Sequence, residues 1–216
     1  MNKEEFQNIS NNHKKKGRTI REERRAERRI AILEAARHTL IEDGYPDFTL
    51  RRIAKKAHIH LKTLQHYFAT KRELLLETVN YTLDTYYYVK LFENLSNNKK
   101  GCNENLKDVL KYLITDCLTS DTTKFFCELW ALSIRDDDAR DALDAMYVRH
   151  RHEIELLIIA ANPGISTSKA KVRATLMAAQ IEGLVVFIGY GKPWHPEFDQ
   201  LEEEVLDRLM EYALAG

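Results

Sequence analysis

The sequence predicts an all-α protein, with an N-terminal unit of three short helices followed by a larger helical domain. Three features predict it. Apolar residues recur at helical spacing along most of the 216 residues, capping residues and Gly or Pro breaks separate the periodic runs, and no run alternates as a strand would. Residues 1–20 are polar, with a Lys14, Lys15, Lys16 and Arg18 cluster, and read as a flexible basic arm. Residues 21–69 then form the small unit and residues 70–216 the larger domain.

The first helix carries Ile30, Leu33, Ala36, Leu40 and Ile41 on its apolar stripe and ends near Asp43, with Gly44 as its stop. Thr49 caps a second helix of barely two turns whose inner face is Leu50, Ile53, Ala54 and Ala57. After His58, Ile59 and His60 a third runs from about Leu61 to Tyr67. Histidine tolerates positive φ, so His58 can make the turn at some cost in stability. Thr70 and Glu73 have the spacing of a capping box for the next helix, expected over 71–95. Further helices are expected over 104–119 and 122–135. Asp136, Asp137 and Asp138 then cap one that ends before Asn162, Pro163 and Gly164. From about Ser168 to Tyr190 the next helix is apolar nearly all round in its second half, through Met177, Ile181, Leu184, Val185, Val186, Phe187 and Ile188. Such a helix is buried on more than one side. Pro196 is expected to start the last, with Glu197 and Asp199 at its positive end and Phe198, Leu201, Val205, Leu209 and Tyr212 as one stripe. The last two helices together read as a dimer interface.

Charge is balanced overall, at 33 basic and 33 acidic residues, but not along the chain: residues 1–75 hold 18 Lys/Arg against 10 Asp/Glu. The N-terminal end therefore suits a polyanion. No phosphate loop, nucleophile elbow, His-Glu-x-x-His or Cys-x-x-Cys occurs, so catalysis is not expected. Nor is a metal or cofactor: His58, His60 and His66 lack a Cys or carboxylate among them, and Arg149, His150, Arg151 and His152 with Glu153 and Glu155 read as a solvated face. Cys102, Cys117 and Cys127 lack ligand spacing and read as reduced thiols. No segment approaches the roughly twenty apolar residues of a membrane span, and no signal-peptide core precedes the small unit, so the expected location is cytoplasmic.

Two short helices joined by a tight three-residue turn make a helix-turn-helix. From Arg29 to Val79 the chain resembles the N-terminal domain of the TetR family in Ile32-Leu33-x-Ala35-Ala36, Gly44-Tyr45, Phe48-Thr49, Ile53-Ala54, Thr63-Leu64, Tyr67-Phe68 and Lys71-x-x-Leu74. It departs where the family commonly has Gly (His58), Ser (His60), a small residue (Lys62) and Tyr (Gln65). Base preference is therefore not transferable. The resemblance implies a homodimeric regulator of transcription, usually a repressor, that binds a palindromic double-stranded DNA operator and is released by a small-molecule effector. The other reading of the residues is a helical interaction protein whose basic N-terminal domain docks a protein or an anionic surface.

A reading helix presents its N-terminal residues to base edges, which points to His60, Leu61, Lys62, Thr63 and His66. Lys62 suits guanine, Gln65 suits adenine if it faces the groove, and Leu61 or the Thr63 methyl suits a thymine methyl. Thr49, Arg52, Tyr67 and Lys71 occupy positions that in relatives commonly touch phosphate, although Tyr67 also fits a packing role. For the effector the expected lining is Tyr86, Tyr87, Tyr112, Phe125, Phe126, Trp130, Met177 and Gln180, most of which also suit an ordinary core. Glu128, between Phe126 and Trp130, hints at a cationic ligand.

Overall fold

The computed structural model describes residues 20–88 and 101–216, without the side chains of 87, 88 and 197–200. Among the described residues the α-helices are α1 (Ile20–Asp43), α2 (Leu50–Lys56), α3 (Leu61–Tyr67), α4 (Lys71–Thr82), α5 (Cys102–Asp116), α6 (Ser120–Ser133), α7 (Asp137–Ala161), α8 (Thr167–Ile188) and α9 (Phe198–Leu214). Among the described residues there is no strand, and no helix is long and apolar enough to cross a membrane. The predicted arm lies outside the described residues except for Ile20, as do residues 89–95 of the predicted fourth helix and the side chains of Glu197, Phe198 and Asp199.

The head of the molecule is α1, α2 and α3. Helix α1 is longer than a helix-turn-helix needs: its first turns are charged and exposed, and only from Ile32 onward does it bury a stripe of Ile32, Leu33, Ala36 and Leu40. Ile30, expected on that stripe, is 47% exposed, because two residues before Ile32 it stands about 200° round the helix. Phe48, Ile53, Leu64 and Phe68 are fully or almost fully buried against it. Thr49 caps α2 by accepting from the Arg52 amide, as its spacing predicts. Thr70 likewise accepts from the Glu73 amide, but Glu73 reaches back to the Ala69 amide at 2.7 Å rather than to that of Thr70.

Helix α4 packs against α1 through Leu74, Leu75 and Val79. The hydroxyls of Thr78 and Thr82 donate to carbonyls four residues back, at 2.6 and 2.7 Å, and the helix then widens to π-type turns over Leu83–Tyr88. Such back-bonding competes with the helical ladder where the change of pitch begins.

The body is α5 to α9. Thr119, Asp136 and Ser166 cap α6, α7 and α8 through their side chains; α6 starts two residues and α8 one residue before the periodicity alone suggests, and Asp136 is the first of the three aspartates expected to cap α7. The expected start at Pro196 is corrected by two residues: Pro196 lies in a single 3-10 turn, His195–Glu197, and α9 begins at Phe198. Ala170, Ala174 and Ala178 give α8 a small-residue buried face, and α7 and α8 share the most extensive helix contact in the body. The buried Arg173 of α8 donates to the carbonyls of Ala213 and Ala215 at 3.2 and 2.6 Å, tying down the C-terminal end of α9.

His150 on α7 has no exposed surface, and burial pulls its pKa down to about 4. The folded protein therefore holds the neutral ring, while the unfolded chain takes up a proton below its ordinary value near 6.5. Stability from this group is complete above that value and is lost as pH falls toward 4. Between pH 7 and pH 5 the parent should lose about 2 kcal/mol relative to a His150→Leu variant, read from urea unfolding at the two pH values.

Candidate nucleic-acid interface and ligand chambers

The outward face of α3 follows from how the helix is anchored. His58, at φ 55°, closes the α2–α3 turn, where the Ile59 amide donates to the Ala54 carbonyl at 3.0 Å. Leu64 is fully buried, so Lys62 and His66, each two residues away, project from the opposite side of α3, with Thr63 and Gln65 flanking them. All four are exposed, as is His60, which stands at the N-cap without capping through its ring. Leu61 and Tyr67 are half-buried, and the Tyr67 ring meets the His66 ring edge-on at 5.9 Å.

The residues expected at phosphate have partners inside the head. The Thr49 hydroxyl accepts from the Arg52 amide and retains its own proton to donate. Arg52 bridges Asp43 at 3.0 Å and Asp47 at 3.1 Å, and its hydrogen bond holds the Asp43 carboxyl below the usual carboxylate range. Lys71 lies 3.9 Å from the centre of the Tyr45 ring and donates to the Tyr45 carbonyl at 3.5 Å, and burial lowers its pKa. Sequence reasoning missed the exposed Arg21 and Arg25 of α1, which share a surface hollow with His66 and Tyr67. The arginine run of α1 was the available signal.

Among the described residues, two chambers open in the body. The first, of about 270 Å³, lies under the head between α1, the end of α4 and α6. Arg37 of α1, only 6% exposed, stacks 3.8 Å from the centre of the Tyr86 ring and donates to Asp121 at 2.7 Å. Tyr86 and Tyr81 donate to the same oxygen of Glu34, at 2.7 and 2.5 Å, and burial followed by that bond to Glu34 raises both phenol pKa values. Phe125 and Phe126 complete the wall. The second chamber is a groove of about 710 Å³ between α7 and α8, closed at one side by Trp130 of α6. Trp130 donates to the Tyr147 hydroxyl at 2.8 Å, and Glu182 lies beside Tyr147.

Of the residues expected at the effector, Tyr86, Phe125 and Phe126 meet at the first chamber and Trp130 lines the second. Met177 is fully buried core, Gln180 is exposed on α8, and Tyr112 is half-buried beside Asp116, a residue that lines the first chamber, without itself joining either lining; the side chain of Tyr87 lies outside the described residues. Glu128 is not at either chamber. It accepts from the Tyr45 amide at 3.1 Å and so joins α6 to the head. Arg37, Glu34, Tyr147 and Glu182 were not anticipated. Arg37 on an apolar stripe and Glu182 beside Ile181 in the most apolar helix were the legible signals.

Residues 32–78 match the family model for bacterial regulatory proteins of the tetR family, and residues 103–213 match that for the C-terminal part of BetI-type transcriptional repressors. The HTH-type transcriptional regulator CymR of Pseudomonas putida is 25% identical over 177 residues, covering 78% of this chain and 83% of CymR. A Saccharomonospora viridis transcriptional regulator crystallised with choline is 22% identical, with a TM-score of 0.65 over 87% of this chain and 94% of its own. One from Mesorhizobium loti is 16% identical, with a TM-score of 0.69 over 86% and 96% of the two chains.

Replacing Glu128 with Ala removes the acceptor of a half-buried main-chain amide. We expect a loss of about 1–3 kcal/mol in chemical unfolding, with the helical circular dichroism of the folded state unchanged.

Proposed function

This chain belongs to the TetR family of bacterial regulatory proteins, and we propose that within it the protein is a homodimeric repressor released from a palindromic operator by a small-molecule effector. It is a helix-turn-helix transcriptional regulator. The observation that carries the operator reading is the outward row on α3: Lys62, Thr63, Gln65 and His66 stand exposed while Leu64 fastens the helix. Lys62 and Gln65 supply base-edge hydrogen bonds, and Arg21 and Arg25, set beside His66, supply phosphate contacts that fix register. Thr49, Arg52 and Lys71 serve the same backbone-facing role, with Arg52 and Lys71 already held in place by Asp43, Asp47 and Tyr45. Operator binding puts the protein in the cytoplasm.

A second copy of the chain is the partner that suits α8. Its outward stripe carries Val172, Leu176, Val186 and Phe187, the last 71% exposed, with Thr175, Ala179 and Gly183 small enough to admit another helix closely. Leu201 of α9 is a further exposed apolar residue. Two reading helices related by a dyad then meet two half-sites.

Helix α6 links effector to operator. It offers Phe125 and Phe126 to the first chamber, and reaches the head through Asp121 to Arg37, Lys124 to Glu42 and Glu128 to the Tyr45 amide. A ligand that shifts α6 therefore shifts the head. The choline held by the similar Saccharomonospora viridis regulator supports a small molecule as the signal here.

Selection from a random duplex pool followed by mobility shifts tests this reading. A palindromic consensus bound by a dimer is expected, and binding indifferent to sequence and salt would overturn it. Lys62→Ala should cost about 1–3 kcal/mol of discrimination at one symmetric base-pair position. Arg21→Ala should instead weaken specific and random duplexes alike and reduce the salt slope by about one.

A further inference from the structure

We propose that the 3-10 turn Tyr45–Asp47 is the positioning element for phosphate contact and that Glu128 of α6 fixes it: the turn holds Lys71 and Arg52, and the carboxylate holds the turn. This rests on the reading above in which Lys71 and Arg52 face the DNA backbone, and Tyr45 and Glu128 act through those two cations. Both polar groups of the Tyr45 main chain are engaged. The amide donates to Glu128 Oε2 at 3.1 Å, and the carbonyl accepts from the Phe48 amide at 3.1 Å and from Lys71 Nζ at 3.5 Å. The ring has two partners as well. It stacks on the fully buried Phe48, with centroids 6.4 Å apart, and carries Lys71 Nζ 3.9 Å from its own centre. Two residues on, Asp47 takes Arg52 at 3.1 Å. One three-residue turn thus meets both cations.

The turn has little freedom of its own. Gly44 enters it at φ 76°, and a Cβ there would stand 3.2 Å from Glu128 Oε1, so the α6 carboxylate packs directly on the backbone that leads into the turn. Pro46 fixes the φ that follows Tyr45. Glu128 therefore grips with both oxygens, one on the Tyr45 amide and the other against Gly44. The first turn of α4, which carries Lys71, is held separately, because Arg72 pairs with Asp138 in the first turn of α7. Among the described residues, the hydrogen bonds and ion pairs from the body to the rest of the chain end on α1, on this turn and on α4 with the turns that follow it, and none ends on α3. The body is thereby coupled to backbone grip, whereas the outward row of α3 is set by apolar packing inside the head.

The test measures affinity of the full-length protein by fluorescence anisotropy, for the selected operator and for a random-sequence duplex, from about 50 to 200 mM salt. Lys71→Ala sets the scale: the salt slope should fall by about one and both duplexes should weaken alike. Glu128→Ala should reproduce most of that change, with the ratio of operator to random affinity within about twofold of the parent's, since a phosphate contact carries no sequence information. Glu128→Gln makes the same change of charge but keeps an acceptor oxygen, so it should bind at least as tightly as the parent. In the Lys71→Ala background, Glu128→Ala should weaken binding no further. A merely structural loss would instead add to Lys71→Ala or lower the operator-to-random ratio by freeing α3, and either result overturns the proposal. So does Glu128→Ala binding like Glu128→Gln. A second pair leaves Glu128 in place: Tyr45→Leu, without the ring face, should weaken both duplexes alike and Tyr45→Phe should not, and equal affinities for these two also overturn it. If Lys71→Ala itself leaves affinity and salt slope unchanged, the phosphate reading of Lys71 fails and the proposal falls with it. Sensitivity to Lys71→Ala without sensitivity to Glu128→Ala spares that reading and removes only the positioning role.

Discussion

One buried charge governs how the head sits on the body. Arg37 lies on the apolar stripe of α1, where a guanidinium is tolerated only if its charge is matched, and two elements supply the match: Asp121 from α6 and the Tyr86 ring from the turns that end α4. Removing one partner of a buried pair typically costs about 3–5 kcal/mol, whereas an exposed pair contributes about 1 kcal/mol or less. With Asp121 half-exposed, this pair falls between those limits. Its geometric consequence is larger than its energy, because it requires α1, α4 and α6 to meet at one point, and the first chamber is the space left around that point.

The proposed reading surface, by contrast, owes its orientation to apolar anchoring. Leu64 and Phe68 are buried against Ile32, Ile53 and Phe48, so α3 has one rotational setting, and Lys62 and His66 face outward as a consequence. Arg52 and Lys71, proposed to meet phosphate, are fixed differently, by polar neighbours. Arg52 is held between two aspartates and Lys71 over a tyrosine ring, which limits the rotamer freedom each would surrender on meeting DNA.

The head was legible in the sequence because its determinants are local. Thr49 and Thr70 announce helix starts, His58 takes the one positive φ the turn requires, and Leu64 among polar neighbours reveals its face. The chambers were less legible, because adjacency in sequence does not mean a shared face in a helix. Phe126 and Trp130 stand four residues apart and point the same way, whereas Glu128, two residues from each, is turned by about 200° and meets Tyr45. Gln180 is two residues from the buried Ala178 and turns outward for the same reason. Arg37 and Glu182 reverse the usual rule that charge lies outside, and periodicity alone does not say which charged residues are buried with partners from other helices.

The links between head and body also bound how strongly a ligand can act on DNA binding. The polar ones are Arg37 to Asp121, Lys124 to Glu42 at 3.4 Å and Glu128 to the Tyr45 amide, and they are at least partly solvated. At about 0.5–1.5 kcal/mol for each of the last two and somewhat more for Arg37 to Asp121, such bonds together amount to a few kcal/mol. That is the range of measured couplings between regulatory sites, about 1–3 kcal/mol, or roughly 5- to 150-fold in affinity. The apolar packing of α1 against α4 is a different matter: Leu33, Leu40, Leu75 and Val79 are essentially water-free, and truncating a buried leucine typically costs about 2–5 kcal/mol. A ligand that strains the polar links can therefore tilt the head while the apolar contact keeps it attached. That division of labour suits a device that must move its reading helices without unfolding.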